Sequence, residues 1–369
     1  MTAIEPLYPM NTDLVFLLAE VAAAQQLTRS QYEKASEHYK AVADFLGAQG
    51  SALAHLQPQI FPQGSMALDT TNRPRNRVEY DLDFVCEVVP CGLSAEELYA
   101  AVYNRLHSNL VYRPILSFKN RCVSLNYSGA FHIDVIPAMA DPGRHETGIV
   151  IPDRKLQDWS PSNPKGFIEW FKKRSQVLAK TELRADANIE PLPGLKSVEE
   201  KLPLAIAVQL VKCARDVLFE GHDDSPRSIL ITTVAGYAYT GHLSVPHAVL
   251  EIARGLRAIR TGAVVVNPTD PTEKFSDGLT PARVERITQL GEHLEASMAR
   301  LARTEGHEEI KRELAQVFGE TPTSAALIRL AERNRERRER GRIAAVATGT
   351  GAIAPPSLQR VKPSHYYGS

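Results

Sequence analysis

The sequence shows no excess of either charge: 43 Lys and Arg stand against 43 Asp and Glu over 369 residues. A dedicated duplex-DNA binder carries a basic surplus in its folded part, so balance argues against that class and leaves only local basic clusters. No run approaches the ~18 consecutive apolar residues of a bilayer-spanning helix. The opening MTAIEPLYPMNTD has neither the basic stretch nor the apolar stretch of a secretory leader, so a cytosolic protein is expected. Cysteine is also scarce. Cys86, Cys91, Cys122 and Cys213 match neither a zinc knuckle nor a disulfide framework, and reduced thiols in a reducing compartment are expected. Cys86 and Cys91 have no His or Cys partner at ligand spacing, whereas structural zinc takes four ligands.

What is present suits a soluble chain of two or three domains, with 43% hydrophobic residues and enough length to bury a core without staples. Leu14, Leu17, Leu18 and Val21 recur at helical steps after the candidate cap Asn11/Thr12/Asp13. Tyr32, Ala35, Tyr39, Val42 and Phe45 do so after Thr28 and Ser30. The texture then changes. Residues 59–63 read as a short strand ending at Gly64-Ser65, and YDLDFVCEVV (80–89) alternates as a strand should. A Ser94/Glu97 capping box opens an amphipathic helix, and RCVSLNYSG with AFHIDVIPAM reads as two strands joined at Ser128-Gly129. Residues 140–164, rich in Pro, Gly and Asp, read as a connecting excursion. From Ser162 the chain turns largely helical, with stripes at Leu204, Val208, Val211 and Leu218, and from Val284 through Ile287, Leu290, Leu294 and Met298 to Leu301. The expected domains are 1–160, a mixed α/β core with N-terminal helices; 161–342, a helical lobe; and 343–369, a Gly/Pro-rich flexible tail.

The chemistry concentrates in FPQGSMALDTTNRP, EYDLDFVCEV and FHIDVIPA. Alternation sends Asp81 and Asp83 to one face of a strand while Leu82 and Phe84 enter the core. The same rule sets Asp134 opposite Ile133 and Val135, so a neighbouring strand can add a third carboxylate. Crowded carboxylates either raise a pKa or recruit a hard divalent cation, typically magnesium. Two such ions would activate an attacking hydroxyl and stabilise a leaving pyrophosphate. Gly64 lets backbone approach a ligand, and Ser65 supplies a hydroxyl for phosphate oxygens.

In this order, the motifs resemble the polymerase-β-type nucleotidyltransferases, and within them the bacterial cGAS/DncV-like nucleotidyltransferases (CD-NTases) of anti-phage CBASS systems. SPSNPKGFIEWF (160–171), LVKCARD (210–216) and SILITTVAGYAY (228–239) extend the likeness over roughly residues 10–340. The resemblance implies an α+β fold: a polymerase-β-like lobe with a mixed sheet, packed on a C-terminal helical lobe, with the active site in the cleft between them. It implies an enzyme that joins nucleoside triphosphates, releases pyrophosphate and closes a cyclic di- or trinucleotide. Asp81, Asp83 and Asp134 match the catalytic, metal-holding triad for Mg2+ or Mn2+, with Asp134 placed to help deprotonate the acceptor hydroxyl. Gly64 and Ser65 match the phosphate-holding motif. Lys212 and Ser228 fall, more loosely, where relatives touch the triphosphate. The chain has no His/Cys zinc cluster of the animal sensor, so no obligatory DNA activator is expected. A flexible C-terminus like that of relatives encoded beside ubiquitin-like conjugation enzymes would engage operon proteins.

Plainer readings stand beside these. Lys212 would ordinarily be a solvated lysine, and Ser228 a helix cap. Trp159 and Trp170 suit inter-lobe packing better than base stacking. His132 suits a hydrogen-bonded, partly buried imidazole, and Asn163-Pro164-Lys165-Gly166 a helix start. The run 331–342, six Arg against three Glu, suits a solvated helix end. Two rival functions stay open: transfer of a nucleotide to RNA, protein or an antibiotic, and non-catalytic sensing of nucleotide or RNA.

Overall fold

The alternating segments all enter one sheet. A computed structural model describes residues 12–73, 80–127, 129, 131–176, 192–222 and 224–347. Two helices open the described chain, α1 (Thr12–Ala24) and α2 (Arg29–Gly47). The strands are β1 (Gln59–Pro62), β2 (Tyr80–Val88), β3 (Leu116–Phe118), β4 (Val123–Tyr127), β5 (Phe131–Ala140), β6 (Ile149–Asp153) and β7 (Asp158–Ser162). Among them lie the one-turn α3 (Gly64–Ala67) and α4 (Ala95–His107). The order is β1-β2-β5-β4-β3, with β6 paired to β5 and β7 to β6. Only β2 and β5 run parallel within this sheet.

Both predicted helix starts carry their caps. In α2 the Gln31 N–H donates to Thr28 Oγ1 while the Thr28 N–H donates to Gln31 Oε1. In α4, Ser94 and Glu97 exchange the same pair of bonds at 3.2 and 2.7 Å. Such caps satisfy amide groups that a helix end otherwise leaves unpaired. Asn11 and Ser128 lie outside the described residues. Leu82, Phe84, Ile133 and Val135 then bury against Tyr39, Val42 and Leu46 of α2 and Leu98, Val102 and Leu106 of α4. The opposite sheet face stays free for the cleft.

One expectation is corrected. Residues 140–164 are no mere excursion: β6 and β7 form an antiparallel hairpin that extends the sheet beyond β4. Alternation explains it, because Ile149 and Ile151 are buried with Phe61, Val85, Ile136 and Ala138 on the cleft face.

The helical part comprises α5 (Pro164–Ser175), α6 (Pro203–Leu218), α7 (Ser228–Ala238), α8 (Val245–Arg257), α9 (Pro281–Leu301), α10 (His307–Phe318) and α11 (Glu320–Ala347). A small hairpin, β8 (Val266–Asn267) with β9 (Asp270–Lys274), interrupts it. The α9 stripe holds, since the whole set from Val284 to Leu301 is buried; in α6 Leu204, Val208 and Val211 are buried but Leu218 only partly, and the helix is buried continuously from Leu204 to Ala214. Although first in sequence, α1 packs on α6 and α8 and so belongs spatially with the later helices. The chain up to Leu327 forms one compact unit and Ile328 onward a second. The helix α11 continues to Ala347, past the point where the tail was expected to begin; residues 348–369 lie outside the described residues. None of the four cysteines forms a disulfide, and no helix among the described residues is long and apolar enough to cross a membrane.

The crossing of α8 and α9 depends on Gly291. A Cβ there would lie 2.5 Å from the Ala253 carbonyl oxygen and 2.6 Å from the Arg257 nitrogen, both backbone atoms. Gly291→Ala should therefore destabilise the protein by about 1–3 kcal/mol, although alanine is the better helix former. Thermal unfolding followed by circular dichroism should show a lower Tm; an unchanged or higher Tm would show that the crossing is loose.

Candidate active site

The parallel register of β2 and β5 sets Asp83 directly across from Asp134, and Asp81 across from His132. Adjacent strands lie roughly 4.8 Å apart, so the three carboxylates share one face at close range, as alternation predicts. The electrostatic cost is visible. Burial, then the charges of Asp134 and Asp81, push the Asp83 pKa up to about 7. Asp81 is also raised, by burial first and Asp134 second, with His132 among the groups that oppose the shift.

The cation nearest this cluster was not anticipated. Lys119, in the turn between β3 and β4, donates from Nζ to both oxygens of Asp134 at 3.0 and 2.9 Å. Ser124, the register partner of Asp134 on β4, donates its hydroxyl to Oδ1 at 2.6 Å. Burial works against the Lys119 ammonium, but its hydrogen bond with Asp134 and that residue's charge outweigh burial and raise its pKa. The Lys119 backbone is fixed too: its N–H donates to the Cys122 carbonyl, and the Tyr99 hydroxyl donates to its own carbonyl. The available signal was a lysine at the tip of a hairpin whose second strand borders the Asp134 strand.

Gly64 has two reasons to be glycine. Its φ is +65°, and a Cβ would collide with the Asp83 carboxylate. The phosphate-motif residues thus sit against the carboxylates, as the sequence suggests. Downstream of Ser65, the segment Thr70–Asn72 is gripped by α6. Thr71 donates to the Ser65 hydroxyl at 3.0 Å, Asn72 Nδ2 to the Gln209 carbonyl at 2.9 Å, and Gln209 Nε2 to the Thr71 carbonyl at 2.7 Å. Lys212 completes the grip, donating to the Thr70 carbonyl at 2.9 Å. It is buried rather than solvated, and burial, helped by Arg215, lowers its pKa to about 8. Ser228 begins α7, but Arg227 occupies the cap position. The Ser228 hydroxyl instead accepts from Arg215 at 2.8 Å.

Gly64, Ser65, Thr70–Asn72, Asp81, Asp83, Lys212 and Ser228 line one cavity of about 750 Å3 between the Asp-bearing sheet face and the helices. That lies within the range of nucleotide-sized ligand sites, roughly 300–1,000 Å3. One end is polar, with Gly64, Ser65, Asp81, Asp83, Lys212 and Ser228; Ile149, Ile151, Phe167 and Phe275 line the other. Four further cations, Arg73, Arg121, Arg215 and Arg227, also line the cavity. Arg73, Arg215 and Arg227 lie in or beside quoted motifs, but no sequence spacing singles them out, because neighbours in a cleft need none. Both tryptophans pack within their own layers. Trp159 lies against the core of the sheet, and Trp170 against Gly236 and Tyr237 of α7. Asn163 caps α5, accepting the Gly166 N–H at 3.0 Å.

Among the described residues, no three His, Cys, Asp or Glu side chains are gathered closely enough to hold a metal ion unaided, and Asp134 is turned to Lys119. The donor chemistry nevertheless fits a hard divalent cation. The oxygens on offer are carboxylates on one face, and burial first, then repulsion from Asp134 and Asp81, raises Asp83.

Comparison with known proteins agrees with this geometry. The Second Messenger Oligonucleotide or Dinucleotide Synthetase domain family matches residues 18–175. A c-di-GMP synthase from Roseivirga ehrenbergii is 30% identical over 372 residues, covering 97% of this chain and 98% of that protein. The cyclic dinucleotide synthase CdnG of Bradyrhizobium diazoefficiens is 28% identical over 308 residues, 76% of this chain and 73% of the relative. The CdnG structure in complex with GTP superposes with a TM-score of 0.70 at 26% identity, covering 86% of this chain and 99% of that one. Escherichia coli DncV, at 18% identity and a TM-score of 0.58 over 87% of this chain and 97% of its own, shows the fold. The near full-length likeness to a synthase, with the Gly-Ser turn and aspartates meeting in one cleft, shows that the chain belongs to the cGAS/DncV-like nucleotidyltransferases.

Proposed function

We propose that the chain joins two guanosine triphosphates into a cyclic dinucleotide, releasing one pyrophosphate at each of two steps. The observation that carries this reading is the placement of Asp81, Asp83 and Asp134 on one sheet face beside Gly64 and Ser65. The guanine assignment draws on the relative named as a c-di-GMP synthase and on the CdnG complex with GTP.

In each step the acceptor ribose hydroxyl gives its proton toward Asp134. Its oxygen bonds to an α-phosphorus in line, and the bond from that phosphorus to the pyrophosphate oxygen breaks. The same step on the linear intermediate closes the ring. Asp81, Asp83 and Asp134 would hold magnesium or manganese, which when bound supplies positive charge to the transferring phosphoryl group and the leaving pyrophosphate. Lys119 must release Asp134 for that carboxylate to serve both duties. Gly64 and Ser65 cradle phosphate oxygens, and Lys212 and Ser228 face the triphosphate from the helices. We place the enzyme in the cytoplasm, in anti-phage signalling without a DNA activator, with residues 348–369 available to proteins encoded beside it.

Incubation with all four labelled ribonucleoside triphosphates, with magnesium or manganese and no other acceptor, should yield a phosphatase-resistant product of cyclic dinucleotide mass. Absence of product without an added RNA, protein or small-molecule acceptor would favour a transferase of the rival kind. Asp83→Asn should lower the rate by about 10³-fold or more while leaving the circular dichroism spectrum unchanged. Retained turnover would exclude the mechanism.

The raised Asp83 pKa also sets a pH dependence in the chelator-treated protein. The fold lifts this group from 3.8 to about 7, so the folded state keeps a proton that the unfolded chain has released. Its contribution to stability is present below the unfolded value and is lost as pH rises through the folded one. In EDTA, Asp83→Asn should therefore stabilise the protein relative to wild type at about pH 8 and much less at about pH 4. A Tm difference that does not grow with pH would contradict the described repulsion.

A further inference from the structure

The apolar end of the cleft holds a carboxylate that the phosphoryl chemistry does not use. Glu273, on β9, lines the cavity beside Phe275, Phe167 and Ile149. Its Oε1 accepts from the Ser162 hydroxyl at 3.0 Å and its Oε2 from the Asn267 amide at 2.7 Å. The Asn163 backbone also donates to it, and burial is the dominant influence on it, raising its pKa. Every one of these donors is neutral. Among the described residues no Lys or Arg forms an ion pair with Glu273.

A charge held this way is costly to bury, and a glutamine of the same shape would join β7 to the β8–β9 hairpin with less penalty. A carboxylate accepts about four hydrogen bonds, and Ser162 and Asn267 take one position on each oxygen, so two groups can donate from the cavity once the Asn163 amide gives up its share. A ligand with hydrogen-bond donors next to an apolar body would satisfy both the carboxylate and the slot lined by Ile149, Ile151 and Phe167. That is the description of a nucleobase.

We infer that Glu273 reads the base of a bound nucleotide as guanine, accepting from the adjacent N1–H and 2-amino groups. Guanine alone among the four bases presents two neighbouring donors on its pairing edge. Adenine and cytosine set an amino group beside an acceptor nitrogen, and uracil sets one N–H between two carbonyls. Each of those edges turns at least one lone pair toward the carboxylate, which is repulsive rather than merely weaker, and such mismatch is an effective source of discrimination. This inference rests on guanosine triphosphate being a substrate, and it adds the residue that selects it.

Inosine triphosphate, which differs from guanosine triphosphate only by lacking the 2-amino group, tests it with the full-length enzyme. Wild type should prefer the guanosine form in kcat/KM by about 10- to 100-fold, the range for one hydrogen bond to a charged group. In Glu273→Gln that preference should shrink to within about threefold, with inosine triphosphate turnover largely retained. Glu273→Asp, which keeps the charge but withdraws it, should lower use of both forms, and of the guanosine form by more, because it loses two hydrogen bonds where the inosine form loses one. Equal loss with both nucleotides would make Glu273 a structural tie and overturn the inference, as would full discrimination in Glu273→Gln. Wild type that turns over other triphosphates but never the guanosine form would overturn the guanine reading itself, a result separate from the other two.

Discussion

Asp83 and Asp134 face each other across two parallel strands, and their repulsion organises the cleft. A parallel pairing needs a long crossover, and here α4, β3 and β4 supply it. That crossover also brings Lys119 over the Asp134 carboxylate and Ser124 beneath it. The carboxylates therefore sit on rigid, paired backbone whose other face is packed against α2 and α4. They cannot relax by moving apart, so the strain is answered by charge: a lysine in this state, and the cations that the reaction is proposed to require.

The helical lobe is tied to this sheet at several independent points. Gln209 and Lys212 of α6 hold the segment after Ser65. Lys165 of α5 pairs with Glu87 at 3.2 Å and lies over the Phe61 ring. Buried Asn163 accepts from Thr147 at 2.9 Å while capping α5. Each tie joins backbone or side chains from both sides of the cavity.

Much of this was legible in the sequence because it rests on local rules. Period-two alternation placed Asp81, Asp83 and Asp134, and the caps at Thr28 and Ser94 matched their capping boxes. The β6–β7 hairpin was missed because its five-residue strands are flanked by Pro, Gly and Asp, which outweighed the Ile-Val-Ile run. Lys119, Arg121, Arg227 and Glu273 were missed for a different reason. Lys119 reaches Asp134, and the other three the cavity, from a turn, cap or hairpin whose position is set by tertiary packing, and no periodic pattern marks such a residue. Lys212 shows the converse, since an apolar stripe suggested a solvated lysine on the far face, yet the helix is enclosed on nearly every side.

The β8–β9 hairpin lies more than a hundred residues beyond the last aspartate and shares no backbone pairing with the large sheet. The bond-making groups and the hairpin thus lie on separate stretches of the chain and in separate sheets. Exchange of a segment of about ten residues could alter which alphabet the messenger is written in while the machinery that links its letters stays untouched.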